Sequence, residues 1–376
     1  MSSQVDPLKE QAYWLAWSQI KGVGPVLLQK LQRHFGSLQL AWSALPLELR
    51  QVDGIGEQTI QAIDQGRSHL EPIAFWQQHN QQNPNFWTPA DPDYPQLLLE
   101  IPNCPPALYY KGQVDLTENQ GLKPAIAIVG TRDPSEYGRR WTRKLTTALA
   151  QQGFTIVSGL ANGIDTEAHQ SCLAAGGRTI AVLGTGVDVV YPWRNQKLYE
   201  AIAQAGLIVS EYVAGTRPDR AHFPQRNRII AGLCRATLVT EAPQRSGALI
   251  TAHLANDFGR DVYIVPGSLD NPKARGCLSL IDRGAQVILD EADLLERLGT
   301  LPSLDQPLSA KPTSVPTDLE PELQAVLQVL GPEPLLFDVL VQAVTLDAST
   351  ISAALLQLEL LGLITQLPGM RYQRCS

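Results

Sequence analysis

The residues of this chain that could do chemistry are arginines and glycines gathered in a few short loops, and the chemistry they suit is capture of phosphate. The sharpest segment is Phe223-Pro224-Gln225-Arg226-Asn227-Arg228-Ile229-Ile230-Ala231-Gly232. Pro224 suits a first helical turn, and Ile229, Ile230 and Leu233 supply a buried side. Two arginines so early in a helix carry the wrong sign for its dipole, a cost that a bound anion would offset. The competing structural reading is a salt bridge to Glu211 or Glu241, which fall at neighbouring strand ends. One arginine can be structural while the other serves the ligand. Gly130-Thr131-Arg132, Gly184-Thr185-Gly186, Arg245-Ser246-Gly247 and Pro266-Gly267 are further loops of the same kind. In Ser158–Asp165, the residues Ser158, Gly159 and Gly163 allow close backbone approach to an anion, and Asp165 is placed to cap a helix over Thr166–Ala175. His169 has no nucleophile paired with it, and a histidine there is more often a satisfied hydrogen-bonder than a catalyst. Tyr137, Tyr191, Trp193, Tyr212 and Phe223 fall near the same loops. Aromatics between phosphate contacts permit base stacking, the general scheme for single-stranded nucleic acid. Core packing explains some of them, Trp193 most easily.

These loops must be positioned by something, and the intervening sequence says what. Each follows a short apolar run: Ala125–Val129, Phe154–Val157, Thr179–Leu183, Ala236–Thr240 and Asp261–Val265. Helical patterns separate most of these runs, which predicts a parallel α/β sheet with the loops along one edge, the usual ligand position. The helix after the first strand buries Trp141, Leu145 and Leu149. Arg139, Arg140, Arg143 and Lys144 take its other faces, where a merely solvated face explains them at least as well as a ligand does.

Composition narrows the function classes. The chain has 376 residues, 44% hydrophobic and 18% charged, enough for two or three domains with proper cores. No apolar run approaches the length of a membrane span and no signal core is evident, so no membrane association is expected. Five scattered cysteines without C-x-x-C argue against a metal site or disulfide framework and point to a cytoplasmic location. A net charge of −7 disfavours bulk nucleic-acid binding, but five arginines stand against one acid between Gly215 and Arg235. A confined anionic ligand fits that distribution. No G-x-G-x-x-G and no P-loop motif occurs, so neither a dinucleotide cofactor nor P-loop ATPase activity is expected.

Two flanking regions complete the organisation. Residues 1–83 read as helical, with Trp14, Trp17, Leu27, Leu28 and Leu31 as core. Ile20-Lys21-Gly22-Val23-Gly24-Pro25 is echoed by Val52-Asp53-Gly54-Ile55-Gly56-Glu57, the form of a tandem helix-hairpin-helix. Asp53 and Glu57 beside the second turn would repel phosphate, which favours a packing role for both turns. Proline-rich residues 84–110 read as an extended connector onto the sheet, within a central domain of residues 84–300. Residues 301–318 read as a tether. Residues 319–376 show helical patterns at Pro321–Leu330, Leu335–Val344 and Ser349–Leu361, then a hairpin from Ile364–Gln366 and Arg371–Gln373. That is the outline of a winged helix. Its third helix lacks lysine and arginine, which suits partner docking better than duplex reading.

Taken together, AIVGTR (Ala127–Arg132), IVSGLANGIDTEAH (Ile156–His169), Gly177–Tyr191, FPQRNRIIAGL (Phe223–Leu233), EAPQRSGALITA (Glu241–Ala252) and Val265-Pro266-Gly267 resemble the DNA-processing protein A family (DprA, also called Smf) over nearly the whole chain. The resemblance implies an extended Rossmann-like domain flanked by a helix-hairpin-helix (SAM-like) N-terminal domain and a winged-helix-like C-terminal one. It further implies a non-catalytic protein that binds and protects incoming single-stranded DNA in natural transformation, dimerises through the sheet domain and loads the RecA recombinase. Carried over by motif, Arg132, Phe223, Arg226, Asn227 and Arg228 become DNA-contact candidates, and Gly159, Ser246 and Gly247 add backbone contacts. Leu278 departs from the family pattern, standing where asparagine is usual in Gly276-Cys277-Leu278-Ser279-Leu280-Ile281. Two alternatives stay open: a Rossmann-like enzyme cleaving nucleotides at an N-glycosidic bond with Glu211 or Glu241, although its P-G-G-x-G-T-x-x-E signature is absent, and a scaffold whose crevice holds a regulatory nucleotide.

Overall fold

The computed structural model describes residues 7–299, 321–330, 335–336, 339–341, 344, 346, 348–360, 363–367 and 371–374. The chain divides into two compact units, Met1–Asp305 and Gln306–Ser376. In the first, strands β1 (Phe86–Trp87), β2 (Leu108–Gly112), β3 (Ala125–Val129), β4 (Thr155–Ser158), β5 (Thr179–Leu183), β6 (Leu207–Ser210), β7 (Ala236–Val239), β8 (Asp261–Ile264) and β9 (Gln286–Val287) form one sheet. Their order is β1-β2-β6-β5-β4-β3-β7-β8-β9. All neighbours from β6 through β9 are parallel, while β1 and β2 add an antiparallel edge.

Strand alternation explains why the sheet is buried on both faces. Along β3, Ala125, Ala127 and Val129 join one core with Val157, Val182, Val209 and Ile230. Ile126 and Ile128 turn to the other, with Leu145, Leu149, Ile156 and Ala168. The chain runs from β3 through β4 and β5 to β6, then crosses back to place β7 on the other side of β3. The carboxyl ends of β3 and β7 are therefore the switch point of the sheet, where the loops on either side part to leave a crevice.

The expected connector at 84–110 is more than a tether. Its prolines confine it to turns and edge positions, yet Trp87 and Tyr110 stack at 4.0 Å between ring centroids, and β2 pairs with β6. The helical N-terminal region has its own core around Trp14, Trp17, Leu28 and Leu31, with Leu27 only partly buried. Gly22 and Gly54 adopt left-handed backbone, with φ of +86° and +93°, as matching tight turns of the two hairpins require. Lys30 Nζ donates to both the carboxylate and the carbonyl of Asp53, and Arg50 pairs with Glu57. The acids of the second turn thus have internal partners. Gln29 reaches the Ile101 carbonyl at 3.0 Å, and Leu15 packs with Ala107 and Tyr109. The expected division at residue 83 is therefore no break between compact units.

The second unit buries Leu323, Val326, Leu340, Ile351, Leu355 and Leu358. Helices Pro321–Val329 and Ala348–Leu360 precede the hairpin β11 (Ile364–Leu367) and β12 (Arg371–Arg374). The helix expected over Leu335–Val344 is corrected at its start: Leu335–Leu336 form a strand, β10, that pairs with β12. Residues 339–341 are helical, the hairpin turn at Pro368-Gly369 lies outside the described residues, and so does the tether at 301–318. No described helix is long and apolar enough to cross a membrane.

Candidate nucleic-acid interface

A cleft of about 660 Å³ opens at the switch point, walled by the loop after β3, the helix His222–Gly232 and the loop after β7. The loops reach this position by backbone packing. Thr131 N–H donates to the Glu241 carbonyl at 2.7 Å, and Ile164 N–H donates to the Thr131 carbonyl at 3.2 Å. A Cβ on Gly130 would lie 2.5 Å from the Ile164 side chain, so only glycine lets these backbones meet.

Arg132, Arg220, Arg226 and Arg245 line the cleft, against one carboxylate, Asp165. Among the described residues no acid lies within salt-bridge distance of Arg132, Arg220, Arg226 or Arg245. Arg226 is 4% exposed. Its Nη1 donates to the carbonyls of Gly159 and Val182, and its buried Nε has no partner. Burial pushes the Arg226 guanidinium down to about 10, with Asp165 opposing and Arg132 adding to the shift. It remains a cation at neutral pH. Asp165 is raised by burial, against the opposing charge of Arg226. Its carboxylate accepts from Gly159 N–H at 3.1 Å and Ala161 N–H at 3.3 Å. The helix begins at Ile164 rather than Thr166, so Asp165 lies inside its first turn and braces the preceding loop instead of capping.

Two expected contacts are corrected by these bonds. The Gly159 amide is spent on Asp165, and a Cβ there would come 2.5 Å from the Arg226 guanidinium. Gly159 makes room for Arg226 rather than offering its amide to an anion. Arg228 is committed elsewhere: its Nη1 and Nη2 form a two-pronged bridge to Glu211 at 2.7 and 2.6 Å, and Nε donates to the Asn103 carbonyl at 2.9 Å. Burial alone would lower its pKa, but the Glu211 bond and charge outweigh it and hold the group above its ordinary value. Arg228 does not line the cleft. Consecutive helical positions separate by about 100°, so Arg226 and Arg228 cannot share a face. The two-residue spacing itself carried that signal.

The remaining candidates lie at the cleft with unequal freedom. Asn227 Nδ2 donates to the Gly247 carbonyl at 3.2 Å and so ties two walls together. Ser246 N–H closes a turn onto the Pro243 carbonyl at 3.0 Å, while Gly247 is exposed at the start of the helix Ala248–Asp257. The Arg132 guanidinium sits 5.7 Å from the Phe223 ring centroid, and Tyr191 lies on Phe223 at 5.4 Å with 31° between planes. Arg220 was not singled out from sequence, where the only signal was the local excess of arginine; Arg245 and Tyr191 were noted only as members of an anion-binding loop and of the aromatics suited to stacking. Trp193 is corrected from core to surface, at 76% exposure. Leu278 is half-buried in the short helix Arg275–Ile281.

Groups that could serve catalysis are occupied. Glu241 accepts from Ser135 N–H at 2.7 Å and Oγ at 2.6 Å, and Glu211 holds Arg228. His169 is buried, bonded to Thr179 Oγ1 at 2.7 Å, and pushed down to about 3 by burial and then by Arg226, which keeps it neutral. Cys104, Cys172, Cys234 and Cys277 are buried free thiols, all raised by burial, and no metal-binding cluster occurs among the described residues.

Comparison with known proteins extends this geometry. Residues 85–299 match the model of DNA recombination-mediator protein A, and residues 310–370 match the DprA winged helix domain. Protein Smf of Synechocystis sp. is 53% identical over 393 aligned residues, covering 97% of this chain and 99% of that protein. The X-ray structure of DNA processing protein A from Streptococcus pneumoniae aligns with a TM-score of 0.65 and 35% identity, covering 78% of this chain and 98% of that one. A structure of DNA processing protein A from Helicobacter pylori, described for its single-stranded DNA binding mode, aligns with a TM-score of 0.51 and 30% identity over 57% of this chain and 95% of that one. With its Rossmann-like sheet, its cationic switch-point cleft and its C-terminal winged helix, the chain belongs to the DNA recombination-mediator protein A family.

Proposed function

We propose that this protein is a cytoplasmic recombination mediator that binds single-stranded DNA in the switch-point cleft, protects strands entering during natural transformation, acts as a homodimer and delivers the strand to the RecA recombinase. The observation that carries the reading is the cleft's charge: four arginines against one buried carboxylate. Arg132 and Arg226 hold phosphates together with Arg220 and Arg245, Phe223 offers a ring to a base, and Asn227 and Gly247 shape the opposite wall. Arg228 has no part in binding. The binding of a H. pylori relative to single-stranded DNA supports this choice of ligand. The N-glycosidase alternative is disfavoured because Glu211 and Glu241 are both held by internal partners.

Titration with oligo-dT at several salt concentrations tests the reading. With four phosphates neutralised, log affinity should fall against log salt with a slope of about −3, some −0.7 for each phosphate. Arg132→Ala should flatten it by about one such unit. A slope unaffected by both Arg132→Ala and Arg245→Ala would remove the cleft from DNA binding. Release of free base from nucleoside monophosphates, abolished by Glu241→Gln, would restore the enzyme alternative.

A further inference from the structure

We infer that Trp193 is a base-stacking platform at the rim of the cleft, receiving a nucleobase of the strand whose phosphates the arginines hold; this rests on the single-stranded DNA reading above. At 76% exposure it is the most open of the seven tryptophans, all of which lie among the described residues. An exposed indole presents a broad π-face on which a base can stack. Its support is rigid. Trp193 starts the short 3-10 turn Trp193–Asn195, and buried Asn195 donates through Nδ2 to the Leu160 carbonyl and Thr166 Oγ1, both at 2.9 Å. The turn is thereby fixed to the loop after β4, next to the residues that brace Arg226. A ring presented on a fixed support loses little freedom on binding.

Continuity with the cleft selects the occupant. Arg132 lies over Phe223, Phe223 meets Tyr191, and Tyr191 and Pro192 line a small recess shared with Arg132, Asn162 and Arg226. Trp193 follows Pro192 directly. Two residues of chain span at most about 7 Å, so Tyr191 and Trp193 are placed for successive bases of an extended strand. Arg194 and Lys197, which follow Trp193 in the chain, are exposed cations available to the phosphate of a base stacked there, alongside the exposed acids Asp188 and Glu200.

The test compares oligo-dT with an abasic oligonucleotide of equal length, using tryptophan fluorescence and full-length protein. Oligo-dT should quench the exposed tryptophan emission, and the abasic strand should not. Trp193→Ala should weaken oligo-dT binding by about 5- to 150-fold, the range for one stacked base, with the salt slope unchanged. It should leave abasic binding as in the unmodified protein, and Trp193→Phe should restore most of the loss. Unaltered oligo-dT affinity in Trp193→Ala overturns the inference, as does an equal loss on both strands. Neither result touches the cleft reading, which fails only if the arginine variants leave the salt slope intact.

Discussion

The switch-point cleft and the outward face of the helix Glu136–Gln151 are both rich in arginine, but most cations of the helix face meet carboxylates and those lining the cleft do not. On the helix, Arg143 bonds Glu167 at 2.8 Å and Glu136 at 3.0 Å, Arg139 lies 3.8 Å from Glu167, and Lys144 bonds Glu291 at 2.7 Å. Three of these carboxylate contacts come from elements distant in the chain. In the cleft the one carboxylate, Asp165, is buried and already accepts two amides. Counting arginines along a sequence therefore finds basic segments but not basic surfaces. What decides is whether the fold brings acids alongside.

The contrast is sharpest between Arg228 and its neighbours. Arg228→Ala should destabilise the protein by about 3–5 kcal/mol, because it strands Glu211 as a largely buried, uncompensated charge. Urea unfolding measures this, and oligo-dT binding by the folded fraction should keep its salt slope. Arg132→Ala should show the reverse: little change in the unfolding midpoint, and a slope flatter by about 0.7. If Arg228→Ala flattened the slope while leaving stability alone, the division between structural and ligand-facing arginines would be broken.

Beneath the cleft, His169 extends the same idea to titration. Its folded value of about 3 lies below the ordinary 6.5. Between those values the unfolded chain binds the proton and the folded protein does not. Stability is then complete above pH 6.5 and falls as pH drops toward 3, by at most about 1.4 kcal/mol per pH unit. His79 and His253 are also lowered by burial, so the informative quantity is the difference from His169→Gln. Unfolding from pH 7 to pH 4.5 should show a shallower decline in the variant. Equal slopes would mean that the cleft floor accommodates a second positive charge.

Much of the fold was legible because its signals are local. Strands β3, β4, β5, β7 and β8 announced themselves as apolar runs leading into loops of glycine, serine or arginine, whereas β6 and β9 were not singled out, and Gly22 and Gly54 marked the hairpin turns. The edge strands β1 and β2 were hidden, since two to five residues among prolines carry no usable period. In the site, Arg132 and Phe223 could be placed from their motifs, and the possibility of one structural arginine was visible, but not which one. That depended on Glu211 and Asn103, brought in from two other segments. Gly159 misled for a related reason: a glycine needed for close approach looks the same whether the approaching group is a phosphate or a guanidinium. Trp193 misled because large aromatics are usually buried, and nothing local shows that its turn is anchored through Asn195 instead.

The smallest expected effect is also the control for the opening contrast. Arg140→Ala and Arg143→Ala lie on the matched face, where exposed pairs are worth between nothing and about 1 kcal/mol. Arg140 rests 5.7 Å from the Tyr137 ring centroid, and Arg143 is shared between two glutamates. Each substitution should change unfolding free energy by less than about 1 kcal/mol and leave the oligo-dT salt slope where it was. Removing Arg143 unmasks Glu136 and Glu167, so any effect on DNA should be a slight weakening from added negative charge, fading as salt rises. A loss as large as that of Arg132→Ala would put the helix face on the path of the strand, and the carboxylates there would then be exchangeable partners rather than permanent ones.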